Sequence, residues 1–399
     1  MILAVLMLAG MVSLSALAEE SEAIEVSIRI EGFKETLYYD SNMKLASGAT
    51  VLDLLELLND ADDAPAIVIT DSTYGAYISE IGGLAEFDYG PMSGWSYRVN
   101  DEDPAFGISM YKLENNDSVV YYYGDPFGIG MQHPVTGLSR ILSEGIITFT
   151  SLDTEYDENW NATVAEKPVK DATVTFNGLT YTTNEKGEIK LENKTGLSGF
   201  RTLQIERYDE SGVPTVLRFK PGHEVFVPFA DTPAGDWYMN AIKFCVREWN
   251  YTGTDLNANL FEPMRTMTMA QLVEVLMRVA GAGEGNVTDP WYAAALEWAV
   301  ANEVIAEDEF IEDSKVTKEK FIYMFYLTVA LSGDYDMTVR ADITGAVDYE
   351  DINAAYLEAI SWAVASEIVE GTSETELVVD PFAEFTRAMV CQLLYKYLG

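Results

Sequence analysis

Three copies of one pattern occupy the last third of the chain. They read Trp237-Tyr-Met-Asn-Ala-Ile-Lys-Phe-Cys-Val246, Trp291-Tyr-Ala-Ala-Ala-Leu-Glu-Trp-Ala-Val300 and Ala355-Tyr-Leu-Glu-Ala-Ile-Ser-Trp-Ala-Val364. Each is followed by a polar loop and then by an apolar run that opens at a threonine: Thr268, Thr317 and Thr386. A helix–loop–helix unit of this size cannot bury its apolar face alone, so the copies must stack on one another to close a core. This repetition limits the chain's last third to an all-α array, with units near residues 231–281, 286–331 and 350–399. The connection Ser332–Asn353 is longer than an ordinary loop and is expected to fold over the surface.

The motifs resemble the S-layer homology domain family. Its repeats open with a Trp-x-x-x-Ala-Ile helix and restart at a Thr-Arg-Ala-Glu motif. Here the first element stands as Trp237…Ala241-Ile242, Trp291…Ala295-Leu296 and Ala355…Ala359-Ile360. The second is kept best as Thr386-Arg387-Ala388-Met389, while Thr268 is followed by Met269 and Thr317 by Lys318. Over residues 231–399 the resemblance implies grooves between repeats that hold an anionic cell-wall polysaccharide. Carried over, the carboxylate-binding cation is Arg387 beside Thr386, with Lys318 as a point charge in its place. Trp237 and Trp291 are the sugar-stacking rings, and Gly253 and Gly371 are the loop glycines. The same residues have a structural reading, in which the tryptophans anchor the core and Arg387 pairs with a neighbour.

The chain has 399 residues and a formal charge of −40, enough length for several domains and a balance that argues against nucleic acid or an anionic membrane as partner. Such acidity suits a solvated exterior. Residues 1–18 form an apolar run ending Ala16-Leu17-Ala18 before Glu19, which reads as a secretory signal peptide. The basic residue that usually opens such a leader is missing, so whether the start is truncated stays open. After cleavage no segment is apolar enough to cross a membrane. The two cysteines, Cys245 and Cys391, exclude a disulfide scaffold, and whether they pair depends on how the first and third repeats meet.

Two further regions precede the repeats. Ile24–Ile30 alternates like a half-buried strand, and Thr50-Val-Leu-Asp53 predicts an N-cap and capping box opening a buried helix. With Gly94-Trp95-x-Tyr97-x-Val99-Asn100, Tyr111-Lys112-Leu113 and Val119–Gly124, residues 24–124 resemble the transcobalamin C-terminal-like module, which implies a β-grasp-like α+β fold. Trp95, Tyr97 and Val99 share one face by alternation, and Ser96, Arg98 and Tyr122 fall on the other. One face is the core; the other is open to reading as a platform for an unidentified small ligand or surface partner.

Residues 125–147 read as a linker with a brief helix or strand. From 148 to 229, short alternating runs such as Ala172–Phe176, Leu179–Thr183 and Pro214–Phe219, with the Asn177-Gly178 turn, predict a β-sandwich. Pro168-Val-x-Asp171-Ala with Thr183–Gly187 resembles the carboxypeptidase regulatory-like and Ig-like modules of surface proteins. The fold class is thus multidomain: an α+β domain, an all-β sandwich and an all-α pseudo-threefold repeat unit.

Catalytic chemistry finds little support. His133 and His223 lack the partners of a zinc site or a nucleophilic triad, and there is no phosphate-cradling glycine loop. The acidic clusters at 60–63 and 348–351 lack the ligand alternation of a calcium loop. No catalytic residue, cofactor or metal is expected. The favoured expectation is a non-catalytic secreted protein, cell-wall or S-layer associated. The alternatives are a secreted hydrolase with a carboxylate site in the N-terminal half, and a corrinoid-binding surface protein.

Overall fold

The computed structural model describes residues 23–73, 75–124, 135–141, 145–156, 158, 162–191, 197–233, 235–255, 258–283, 289–369 and 376–399. The expected signal peptide, His133 and Gly371 lie outside them. The chain builds several domains, β-rich toward its N-terminus and helical toward its C-terminus, with three separate hydrophobic cores among the described residues.

The N-terminal region runs β1 (Ala23–Glu31), β2 (Thr36–Ala46), α1 (Val51–Asn59), β3 (Ile67–Ser72), β4 (Gly75–Ile81), β5 (Leu84–Ala85), β6 (Gly94–Val99) and β7 (Ser118–Gly124). Its main sheet has the order β2-β1-β7-β6, with β1 and β7 parallel and the outer pairs antiparallel. Period-two alternation sends Ile28, Ile30, Val119 and Tyr121 to one face, where Val51, Leu54, Leu55 and Leu58 of α1 cover them. The helix starts where the capping-box spacing predicts. Asp53 N donates to Thr50 Oγ1 at 3.3 Å, and Thr50 N donates back to Asp53 Oδ2 at 2.6 Å.

The middle region holds β8 (Val135–Ile141), β9 (Ile146–Tyr156), β10 (Ala162–Pro168), β11 (Thr173–Phe176), β12 (Leu179–Thr182), β13 (Glu188–Lys190), β14 (Gly199–Glu206) and β15 (Glu224–Val227). One sheet centres on β9, which pairs with β8, β10 and β13; the other has the order β12-β11-β14-β15. Strand β8 lies inside the span read as a linker. The alternating run Pro214–Phe219 forms no strand, only isolated bridge positions at Pro214, which pairs with Tyr208, and at Val216. Pro214 has no N–H to give, and Phe219 N donates to the Gln204 side chain at 2.7 Å in place of a neighbouring strand.

The C-terminal region consists of α2 (Met239–Trp249), α3 (Met269–Val279), α4 (Ala293–Ala301), α5 (Lys318–Ala330), α6 (Leu357–Ala365) and α7 (Arg387–Leu398), with 3-10 turns at Glu307–Glu309 and Tyr349–Asp351. All six helices contribute to one core, which also takes in Phe226 and Phe229 from the end of the middle region. The connection 332–353 folds back onto this unit, burying Ile343, Ala346 and Ile352. Among the described residues no helix is long and apolar enough to cross a membrane.

Candidate functional site

The residues that open α3, α5 and α7 are tied together by the backbone. Met267 N donates to Phe385 O at 3.0 Å, Phe385 N to Val316 O at 2.9 Å, and Val316 N to Met267 O at 3.0 Å, closing a ring of three hydrogen bonds. The side chains of Met267, Val316 and Phe385 are buried around it. The first N–H groups of a helix have no partner within the helix. Here each helix finds them on another unit: Met269 N and Ala270 N bond Ser314 O and Glu312 O, Lys318 N and Glu319 N bond Ala383 O and Pro381 O, and Arg387 N and Ala388 N bond Arg265 O and Pro263 O. The three helix starts are therefore equivalent positions, each backed by the loop of the next unit.

This geometry places the sequence-derived residues in unequal settings. Arg387 is 3 % exposed; its Nε donates to Phe261 O at 2.9 Å and its Nη2 to Thr252 O at 2.8 Å. The guanidinium lies 4.5 Å from the Tyr251 ring centre and 4.4 Å from that of Phe261. Thr386 caps α7, its Oγ1 accepting from Met389 N at 3.3 Å. Lys318 is buried against the third unit, where burial pulls its ammonium below the usual lysine range and Asp380 and Asp348 oppose that shift. Trp237 and Trp291 instead stand at the surface, 57 % and 52 % exposed, while the Ala241-Ile242 and Ala295 positions that follow them in the motif are buried. Both rings lie edge-to-face on the following tyrosine, at 5.3 Å for Trp237 on Tyr238 and 5.5 Å for Trp291 on Tyr292.

Gly253 is required by close approach. A Cβ there would meet Leu260 O at 2.4 Å and the Phe229 ring at 3.0 Å. Its loop borders a half-open cavity of about 260 Å³ between β14, β15 and α2, lined by Phe200, Arg201, Glu224, Arg247 and Asn259 among others. Arg247 stacks 3.5 Å over the Phe200 ring and pairs with Glu224 at 3.1 Å. The structure thus brings Arg387, Thr386 and Gly253 to one side of the helical unit. Sequence reasoning missed Arg201 and Arg247, since neither belongs to the repeated motif.

The second face of the N-terminal sheet, read as an open platform, is covered. Glu31, fully buried, takes Arg29 Nη1 at 3.0 Å and Arg218 Nη2 at 2.9 Å. Arg29 Nη1 also donates to Arg218 O at 2.6 Å, joining the first sheet to the middle region. Arg98 is buried on the same face, and burial pushes the Tyr122 hydroxyl up to about 12. The sequence signal was present, Arg29 and Glu31 being on one face by alternation, but nothing in it named Arg218 as the cover. Cys245 and Cys391 are free and buried, with the Cys245 thiol 3.8 Å from Cys391 O. Among the described residues no three His, Cys, Asp or Glu side chains gather as a metal site would need.

Comparison with known proteins reaches only the N-terminal region with a family profile. Residues 48–125, from the start of α1 to the end of β7, match the family described as Domain of unknown function (DUF4430). No curated protein matches the chain. Among solved structures, haptocorrin in complex with Cbi is similar at 20 % identity and a TM-score of 0.24, over 26 % of this chain and 26 % of that one. The chain therefore spans about a quarter of that relative's length. A protein of Ruminococcus gnavus ATCC 29149, described as a candidate metal binder, is similar at 10 % identity and a TM-score of 0.21, over 26 % of this chain and 99 % of its own. What the comparisons establish is a match of residues 48–125 to the model of this family.

Proposed function

We propose that the protein is a non-catalytic, secreted surface protein that holds an anionic cell-wall polysaccharide through residues 231–399, an S-layer-homology-like triplet. On this reading residues 24–124 are a β-grasp-like, transcobalamin-related module and residues 148–229 a sandwich that displays it. The observation that supports it most is the closed ring through Met267, Val316 and Phe385, which turns three degenerate sequence motifs into one compact unit with three equivalent helix starts. The polymer contacts are the exposed Trp237 and Trp291 rings, which offer flat apolar faces to sugars, and the cavity beside Gly253, where Arg201 and Arg247 supply cations in a chain of net charge −40. Arg387 supports that cavity from behind by holding the Thr252 and Phe261 carbonyls.

The test is co-sedimentation of the full chain with deproteinised cell wall. Saturable retention is expected, reduced several-fold by Trp237→Ala with Trp291→Ala and by Arg247→Gln, with unchanged circular dichroism. Retention that is equal on walls stripped of their acidic polymer would sink the reading. The same samples report on the alternatives, since a hydrolase releases soluble fragments and a corrinoid binder shifts the cobalamin spectrum.

A further inference from the structure

Five helices end at one place. The last turns and caps of α2, α3, α4, α5 and α7 contribute Trp249, Ala280, Asn302, Leu331 and Leu398 to the wall of a single cavity of about 520 Å³. A helix C-terminus carries about half a negative elementary charge, an effect confined to its final turn. The carboxylates Glu248 and Asp334 stand at the rim, both exposed. No Lys or Arg side chain among the described residues lines it. Three cations lie close by on the same helices: Arg247 in the last turn of α2, which pairs with Glu224, Arg278 in the last turn of α3, which pairs with Glu274 and donates to Trp249 O at 3.2 Å and Asn250 O at 2.9 Å, and Lys396 in the last turn of α7. They offset part of the field of α2, α3 and α7 without lining the cavity.

The lining is also aromatic. Phe244, Trp249, Trp298 and Tyr335 all border the space, and Phe244 packs edge-to-face on Trp249 at 5.2 Å. Ring faces carry negative charge and attract cations, most strongly those bearing methyl or methylene groups that tolerate an apolar wall. A metal ion fits poorly, because only two carboxylates are present and both face water. An anion is repelled by every charged element of the wall. We propose that this cavity binds a quaternary ammonium group, the cation resting on the tryptophan faces with Glu248 and Asp334 closing the charge. This site shares no lining residue with the cavity beside Gly253, although both draw on the last turn of α2, and it stands or falls without the wall-polymer contacts.

The full chain is titrated with choline while tryptophan fluorescence and the choline methyl resonance are followed. The neutral carbon isostere of choline, dimethylbutanol, serves as the control for shape. Saturable binding of choline is expected, with the isostere weaker by about tenfold. The double variant Glu248→Gln with Asp334→Asn, both surface positions, weakens choline by about threefold and leaves the isostere unchanged. Trp298→Ala reduces the fluorescence response, leaving the part that Trp249 contributes. Equal affinity for the two probes, or no saturation with choline, overturns the proposal.

Discussion

Arg387 occupies the position where a cation for a polymer carboxylate was expected, and its guanidinium is used by the fold. Two carbonyls from the first unit and two aromatic rings surround it, so its charge is buried and held within the fold. Arg387→Ala would strand both carbonyls and open a void, and is expected to cost about 2–4 kcal/mol in chemical denaturation. Arg387→Lys should recover only part of this, because an ammonium cannot span two acceptors as a planar fork does. An unchanged midpoint for the alanine variant would contradict this assignment. Glu31 poses the opposite problem, a buried carboxylate between two guanidiniums. Glu31→Ala leaves two like charges facing each other out of water and should destabilise by about 3–5 kcal/mol, read from the thermal transition. A loss below about 1 kcal/mol would show that water reaches the cluster.

At the scale of elements, what was legible is what local chemistry decides. The Thr50/Asp53 spacing announced the start of α1, and hydrogen bonds in both directions form there. Thr50→Ala should cost about 1 kcal/mol. The Asp53 carboxyl is held below its ordinary 3.8 by hydrogen bonds from Thr50, backbone first and hydroxyl second. A depressed carboxylate stabilises above its unfolded value and loses that stabilisation as pH falls through the lower folded one. Asp53→Asn should therefore lower the neutral plateau and flatten the acid limb of the stability profile below pH 3.8, since the stabilisation it removes is present at neutral pH and already lost in acid. The same slope in both proteins would refute the assignment. Other elements were not legible. Strand β2 contains the polar run Asp40-Ser41-Asn42 and shows no alternation, yet it pairs along most of β1 because a neighbouring edge needs its hydrogen bonds. Pro214–Phe219 has the right alternation and still fails as a strand, since its hydrogen bonds go to Arg207 O and the Gln204 side chain.

For the whole molecule, the junction of the first two regions is the sensitive point. His223 stacks on Phe219 with ring centres 4.4 Å apart, close enough to Arg29 and Asp101 of the first region to feel their charge. Burial lowers its pKa below 6.5, Lys220 and Arg29 add to that, and Asp101 and Glu224 oppose it. The unfolded chain then binds a proton more readily, so stability rises with pH from the lowered value to 6.5, and below that window the loss is complete. His223→Phe keeps the stacking and should remove this slope from the melting temperature just below pH 6.5. A slope that persists in the variant would assign it to other groups.

The sequence by itself determined the repetition, the cap of α1, the alternation of the sheet strands and the extreme acidity, because each depends on residues near one another in the chain. Which surfaces would be covered was decided only in three dimensions. Arg218 lies far along the chain from Glu31, and the ring through Met267, Val316 and Phe385 joins segments from three separate units. Burial and charge pairing at such places are set by long-range packing, so a residue such as Arg387 could be named from its motif while its role waited on what the fold put around it.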